Sequence, residues 1–270
     1  MKVAFQGECG AYSESAVYAF FGANTKVKPC RDFKDVFENV LKQETTFGVV
    51  PVENSLEGSV NQTYDLFLKY DLKVCGEVIV KIEHCLIANP STSLAAVKAV
   101  YSHPQALAQC QTFLEQLGRE LIPTYDTAGS VKMLKERGLK DAAAVASERA
   151  AEIYGMKILA RDIADNKENY TRFFVLSKED AAITGKDKTS IIFSATHEPG
   201  SLYHALGKFA KRNINLTKIE SRPTKKKLWE YIFFVDFAGH IDDARVQKAL
   251  AQLEKQCLFL KVLGSYPQAE

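Results

Sequence analysis

The sequence predicts an α/β protein in two parts: a larger region of two lobes, then a smaller β-α-β-β-α-β domain. Three observations carry this. Short apolar runs alternate with amphipathic stretches from residue 3 to residue 154, the pattern of sheets built from β-α units. After that alternation comes a continuous apolar run, residues 173–176, of the kind that forms a strand buried on both faces. Past a polar stretch at residues 178–188 the order changes to two helices set among four strands.

Composition narrows the function. With 270 residues the chain has room for two domains, and 46% apolar with 25% charged residues is ordinary for a soluble globular protein. A net charge of +2 gives no field that would gather nucleic acid or a membrane surface. No apolar run reaches the length of a membrane span, and the first residues read as a strand rather than a leader. The six cysteines have no C-x-x-C spacing, which suits a reducing cytoplasm and gives no metal set. The Lys225-Lys226-Lys227 run reads as a solvated turn.

In the first lobe a strand at residues 3–5 meets Gln6-Gly7-Glu8-Cys9-Gly10-Ala11-Tyr12-Ser13, with Ser13 expected to cap a helix over 14–21. Two glycines and a helix start make a seat for an anion, although the G-x-x-G spacing does not match a dinucleotide loop. Residues 32–41 form an amphipathic helix with Phe33, Val36, Phe37, Val40 and Leu41 on one face. A strand over 47–50 then ends in Pro51-Val52-Glu53-Asn54-Ser55, and a helix follows through Tyr70. Asn54 and Ser55 either cap that helix or bring short donors to the strand's exit. Glu53 can orient a neighbour or accept a proton.

The run at residues 74–87 is expected to cross to a second lobe, with His84 as a packed, hydrogen-bonded residue. A strand near 97–101 leads to Ser102-His103-Pro104-Gln105-Ala106, with Pro104 opening a helix through Leu117 and His103 at the turn where it can meet a ligand. Thr127 is expected to cap a helix through Arg137. A strand at 142–146 and a Ser147-capped helix through Tyr154 complete what the alternation predicts to be a second parallel sheet. Residues 158–163 return toward Asn169, and the Thr171 strand rejoins the first sheet or lies at the hinge.

Beyond the linker the expected elements are a strand at 190–195, a helix at 199–212, strands at 216–221 and 228–237, a helix at 242–256 and a strand at 258–264. This is the ferredoxin-like order.

Four motifs resemble those of prephenate dehydratases, in order along the chain: Gly7, Gly10, Tyr12 and Ser13; Pro51-x-Glu53-Asn54-Ser55-x-x-Gly58-x-Val60; the Ser102–Ala106 run; and Asn169-x-Thr171-Arg172-Phe173. The last domain resembles an ACT module, an amino-acid-binding regulatory domain, through Pro199-Gly200-Ser201-Leu202 and Asn215-Leu216 followed by Glu220-Ser221-Arg222-Pro223. The resemblance implies a two-lobed catalytic domain of type 2 periplasmic binding-protein architecture over residues 1–180. Lobe one would be about 1–80 with 165–180, and lobe two about 81–164. A linker at 181–188 and an ACT domain at 189–267 would follow.

The activity implied is the loss of water and carbon dioxide from prephenate to give phenylpyruvate, inhibited by L-phenylalanine. Arogenate dehydratase is the near alternative, and a non-catalytic two-lobed sensor the distant one. No cofactor is implied, because aromatisation needs no electron sink. Thr171, Arg172 and Phe173 are the implied catalytic residues, with Thr171 serving the departing oxygen. Arg172 neutralises a substrate carboxylate or braces the turn. Ser13, Asn54, Ser55, Asn169 and His103 are the substrate-binding candidates, and Glu53, His84 and His103 the candidates to resupply a proton. Gly200, Ser201, Leu202, Asn215, Leu216, Glu220, Ser221 and Arg222 are the allosteric candidates. Backbone N–H groups near Gly200 would take the amino acid's carboxylate, and carbonyls near Asn215 its ammonium. No long helical segment precedes Lys2, so no fused chorismate mutase is expected. ACT sheets commonly pair, so a homodimer or homotetramer is.

Overall fold

The computed structural model describes residues 1–224 and 231–269. The expected Lys225–Lys227 turn and residues 228–230 of an expected strand lie outside them.

The first lobe opens with β1 (Lys2–Gln6), α1 (Tyr12–Phe21), β2 (Lys26–Cys30), α2 (Phe33–Leu41) and β3 (Phe47–Asn54). β1 pairs in parallel with β2 and β3, and Val3, Ala4 and Phe5 are fully buried. Asp32 caps α2 in a reciprocal box with Asp35. Val36, Phe37 and Val40 are buried as the periodicity required, whereas Leu41 is exposed at the helix end. Two expectations change here. Ala11, not Ser13, is the N-cap of α1, and Ser13 sits buried within the first turn. β3 does not stop at Val50 but runs to Asn54, because a short antiparallel strand β4 (Gly58–Ser59) folds back and pairs with Glu53 and Asn54. α3 (Asn61–Phe67) follows that hairpin, so neither Asn54 nor Ser55 caps it.

β5 (Lys73–Lys81) leads to the second lobe: β6 (Cys85–Ala88), β7 (Ala99–Ser102), α4 (Pro104–Ala108), α5 (Gln111–Leu117), β8 (Glu120–Pro123), α6 (Thr127–Arg137), β9 (Ala142–Ala146), α7 (Glu148–Tyr154) and β10 (Lys157–Ala160). The sheet order is β10-β6-β9-β7-β8. The sheet is mixed rather than parallel. β7 pairs in parallel with β8 and β9, but β6 is antiparallel to both β9 and β10. β6 and β10 are the strands by which the chain enters and leaves the lobe, a role that alternation alone does not reveal. The helix expected from Pro104 to Leu117 is broken at Gln109 and Cys110, because the Gln109 carbonyl accepts from Asp165 N (2.8 Å) instead of continuing the helix ladder. Asp126 rather than Thr127 caps α6, accepting from Gly129 N at 2.6 Å. Ser147 caps α7.

β11 (Tyr170–Ser177) returns to the first sheet, whose order is β2-β1-β3-β11-β5, with β4 on β3. β11 thus lies beside β3, and Thr171 opens a strand buried from Phe173 to Ser177.

The C-terminal domain contains β12 (Asp187–Ala195), α8 (Ser201–Ala210), β13 (Leu216–Pro223), β14 (Tyr231–Ala238), α9 (Ala244–Glu254) and β15 (Cys257–Pro267). Its order β13-β14-β12-β15 is antiparallel throughout, with both helices on a core of Phe193, Phe209, Val235, Phe237 and Leu253. This is the ferredoxin-like fold that the element order implied. The chain divides into two compact units, residues 1–69 with 78–173 and residues 70–77 with 174–270. Lobe two and most of lobe one belong to the first, while parts of β5 and β11 belong to the second. The division falls inside β5 and β11 rather than in the 181–188 stretch.

Candidate active site

The residues gathered at the start of β11 form one hydrogen-bonded line across both lobes. Its fixed end is Asn54. The Asn54 Oδ1 accepts from Leu56 N (3.0 Å) and Glu57 N (3.1 Å), an Asx turn in the β3–β4 hairpin. That pins the amide, so Nδ2 faces β11. It donates to Asn169 Oδ1 (2.7 Å) and Thr171 Oγ1 (3.0 Å), with Tyr170 O more distant at 3.2 Å. Asn54, Asn169 and Thr171 are all buried, so these bonds stand against little competing water.

Polarity then propagates outward. With Asn169 Oδ1 taken, its Nδ2 donates to Gln109 Oε1 (2.9 Å), and His84 Nε2 reaches the same oxygen at 3.0 Å. An oxygen only accepts, so His84 carries its proton on Nε2. His84 Nδ1 lies 3.1 Å from Tyr12 Oη, whose own hydrogen donates to Glu83 O at 2.6 Å. Burial pushes the His84 imidazole below its usual range, and the Gln109 bond opposes that only in part. His84 is the buried, bonded residue that the sequence implied.

Ser55 ties the same hairpin to β11. Its N donates to Tyr170 O (2.8 Å), its Oγ donates to Glu168 O (3.0 Å), and Tyr170 N donates back to that Oγ (3.0 Å). Arg172 points to the other strand face and grips Glu53, with Nε (3.2 Å) and Nη2 (3.0 Å) both on Oε2. Phe173 is a buried core residue. His103 caps α4, accepting from Gln105 N on Nδ1 at 3.2 Å.

The Gly7–Ser13 turn is not an open anion seat. Gly10 N donates to the Glu14 carboxylate at 2.8 Å, so the anion held there is the protein's own. Lobe two docks on this turn. Lys132 and Tyr125 bind Glu8 (both 3.0 Å), Ser147 Oγ donates to Gly10 O (2.6 Å), and Arg149 Nε meets Glu14 (3.1 Å). Both glycines are required: a methyl on Gly10 would stand 2.7 Å from Ala150 Cα, and one on Gly7 2.8 Å from Asp126 Oδ2. Ser13 forms no side-chain hydrogen bond among the described residues and lies buried on α1.

Sequence reasoning missed Gln109, which joins Asn169 to His84, and the Glu8 and Glu14 clasp. Gln109 lies three residues past the Ser102–Ala106 run, and only the break between α4 and α5 aims it at Asn169. Among the described residues no cluster of three or more His, Cys, Asp or Glu gathers as a metal set.

In the C-terminal domain Gly200 is the N-cap of α8 at φ +83°, and Ser201 Oγ meets Thr196 Oγ1 at 2.8 Å. Leu202 and Leu216 pack on the domain core. The Asn215 carbonyl, expected to receive an ammonium group, already accepts from Ala238 N at 2.9 Å. Glu220 pairs with Lys218 at 3.5 Å, and Ser221 and Arg222 continue β13. Gly200 opens α8 (Ser201–Ala210), and Asn215 lies beyond its far end, next to the start of β13.

A family model of prephenate dehydratase matches residues 3–181, and one of the ACT domain matches residues 189–255. A bifunctional chorismate mutase/prephenate dehydratase of Aquifex aeolicus is 48% identical over 100% of this chain and 74% of its own length. An arogenate dehydratase/prephenate dehydratase of Arabidopsis thaliana is 46% identical over 99% of this chain and 73% of its own. Among solved structures, a prephenate dehydratase of Arthrobacter aurescens in complex with L-Phe aligns with TM-score 0.91 at 34% identity, over 99% and 90% of the two chains. One described as GqqA, a quorum quenching acylase, aligns with TM-score 0.89 at 32% identity, over 99% and 98%. With the Asn54–Thr171 line in place and this agreement along nearly its whole length, the chain belongs to the prephenate dehydratase family, with a C-terminal ACT domain.

Proposed function

We propose that the site at the start of β11 converts prephenate to phenylpyruvate, water and carbon dioxide, a step in making phenylalanine. The ring carbon–oxygen bond breaks and the hydroxide departs with a proton. The carbon–carbon bond to the ring carboxylate breaks as carbon dioxide leaves, and its electron pair completes the aromatic ring. The observation that carries this reading is the Asn54–Thr171 bond. Asn54 donates to the threonine oxygen at 3.0 Å, and among the described residues nothing receives the threonine's own hydrogen. Thr171 is therefore set to donate to a departing oxygen.

Asn54, Asn169 and Ser55 hold the catalyst rather than the substrate's carboxylates, and Arg172 braces β11 through Glu53. The proposed roles are catalysis in residues 1–180 and regulation in 189–267 joined through 181–188, although the compact units divide within β5 and β11. Thr171→Val tests the assignment. It keeps shape and burial but has no hydroxyl, and turnover falls about 10²- to 10⁴-fold. A kcat near that of the parent would reject it.

L-Phenylalanine binds the ACT domain and inhibits. ACT sheets commonly pair side by side, and the proposed working form is a homodimer or homotetramer. Exposed Ile219 on β13 and Leu258 and Phe259 on β15, the two sheet edges, support such pairing. The free cysteines support a cytoplasmic location. The relative named for both substrates makes arogenate the second reading. Comparing kcat/KM for prephenate and arogenate decides between them.

A further inference from the structure

We infer that Phe174 and Tyr266 carry the phenylalanine signal from the regulatory sheet into β11, the strand whose second residue is Thr171. This rests on the phenylalanine regulation proposed above and names its route. The path starts at β13, where the ligand candidates Leu216, Glu220, Ser221 and Arg222 sit. Leu216 pairs with Phe237 of β14, and Lys218 with Asp236. Ser190 of β12 donates to Asp236 Oδ1 at 2.6 Å. Its single hydrogen is then spent, so the 2.7 Å contact to Tyr266 is the tyrosine hydroxyl donating to Ser190 Oγ. Asp236, Ser190 and Tyr266 thus connect three adjacent strands, all of them buried. The Tyr266 ring meets Phe174 edge-on, with centroids 5.5 Å apart and planes at 61°.

Phe174 lies three residues from Thr171 on one strand. Every side-chain contact on this route is inside the second compact unit, and the last step is the covalent strand itself. The same unit holds β5 firmly. A methyl on Gly264 would lie 2.1 Å from Val74 O, and Lys188 pairs with the fully buried Glu77 carboxylate at 2.8 Å. Packing this tight does not absorb a shift of β15, so the shift is passed to β11 and β5.

The test uses the full chain with prephenate as substrate and phenylalanine as inhibitor. Three variants are compared with the parent: Phe174→Leu, Tyr266→Leu and Tyr266→Phe. Without phenylalanine each keeps kcat/KM within threefold of the parent. Calorimetry still detects phenylalanine binding in all of them. At saturating phenylalanine the parent and Tyr266→Phe, which keeps the ring pair, lose at least tenfold in rate. The two leucine variants keep more than half their turnover. If one leucine variant does not fold, the other gives the answer. Leucine variants inhibited as fully as the parent, or unable to bind phenylalanine, overturn the route while leaving the regulation intact. A parent that phenylalanine does not inhibit overturns both.

Discussion

Asn54 Nδ2 donates to Thr171 Oγ1 across 3.0 Å, and the turn that holds Asn54 leaves its amide no other orientation. Swapping donor for acceptor at this one position reverses the threonine. In Asn54→Asp the carboxylate keeps the Asx turn but draws the Thr171 hydrogen to itself. Turnover should fall about 10²- to 10³-fold, the usual cost of losing one preorganised donor, and the melting temperature should also drop because the new carboxylate oxygen faces Asn169 Oδ1 and Tyr170 O. Phenylpyruvate formation measured at saturating prephenate checks this, and a kcat within threefold of the parent would contradict it.

Arg172 and Glu53 act as a unit. Arg172→Lys cannot place two donors on one oxygen, and Glu53→Gln removes the charge they meet. Each should lower kcat about 10- to 100-fold, the range of a charge-assisted hydrogen bond, with KM little changed. The double variant should be no worse than the worse single, which a double-mutant cycle reads directly. A rise in KM for Arg172→Lys alone would instead place the guanidinium on the substrate.

His84 sets a pH dependence whose sign follows from its burial. Its folded-state pKa lies below the unfolded value of about 6.5, so the unfolded chain takes the extra proton more readily. The stabilising contribution is complete above that value and is lost as pH falls toward and through the folded one. Melting temperatures from pH 8 to pH 5 should therefore drop more steeply for the parent than for His84→Gln. Parallel slopes would show that another group governs acid stability.

Gly10 and Gly22 offer a matched pair. Both have φ near +90°, but a methyl on Gly22 meets nothing within 4 Å, whereas one on Gly10 meets Ala150. Gly22→Ala should cost only the backbone term, about 1–2 kcal/mol. Gly10→Ala adds a collision with lobe two and should also raise KM several-fold. Equal melting temperatures and equal KM for the two variants would mean that the lobes do not close on this turn.

Periodicity and punctuation made most of the fold legible. The strand at residues 173–176, the helix over 32–41 and the β-α-β-β-α-β order were all readable from apolar spacing. The misread strand and helix bounds share one cause, because each was settled by a partner outside the element itself. β3 continues to Asn54 because β4 pairs with it. The α4–α5 break exists because Asp165 takes the Gln109 carbonyl. β6 runs antiparallel because it is an entry strand. At the site, Asn54, Asn169 and Thr171 were named from motifs, but the direction of their hydrogen bonds was not. Direction depends on which amide atom faces which neighbour, and only the hairpin geometry fixes that. The Gly7–Gly10 turn misled because its spacing suits an anion equally well whether a ligand or Glu14 supplies it.

The placement of residues 70–77 with the C-terminal unit limits how such proteins can be recombined. A chimera that joins this catalytic region to a foreign ACT domain at residue 186 would separate Val74 from Gly264 and Glu77 from Lys188. A workable graft has to exchange two stretches far apart in sequence, 70–77 together with everything from 174 onward. In this chain the C-terminal unit comes with a piece of the first sheet, and an exchange at the linker alone would leave that piece behind.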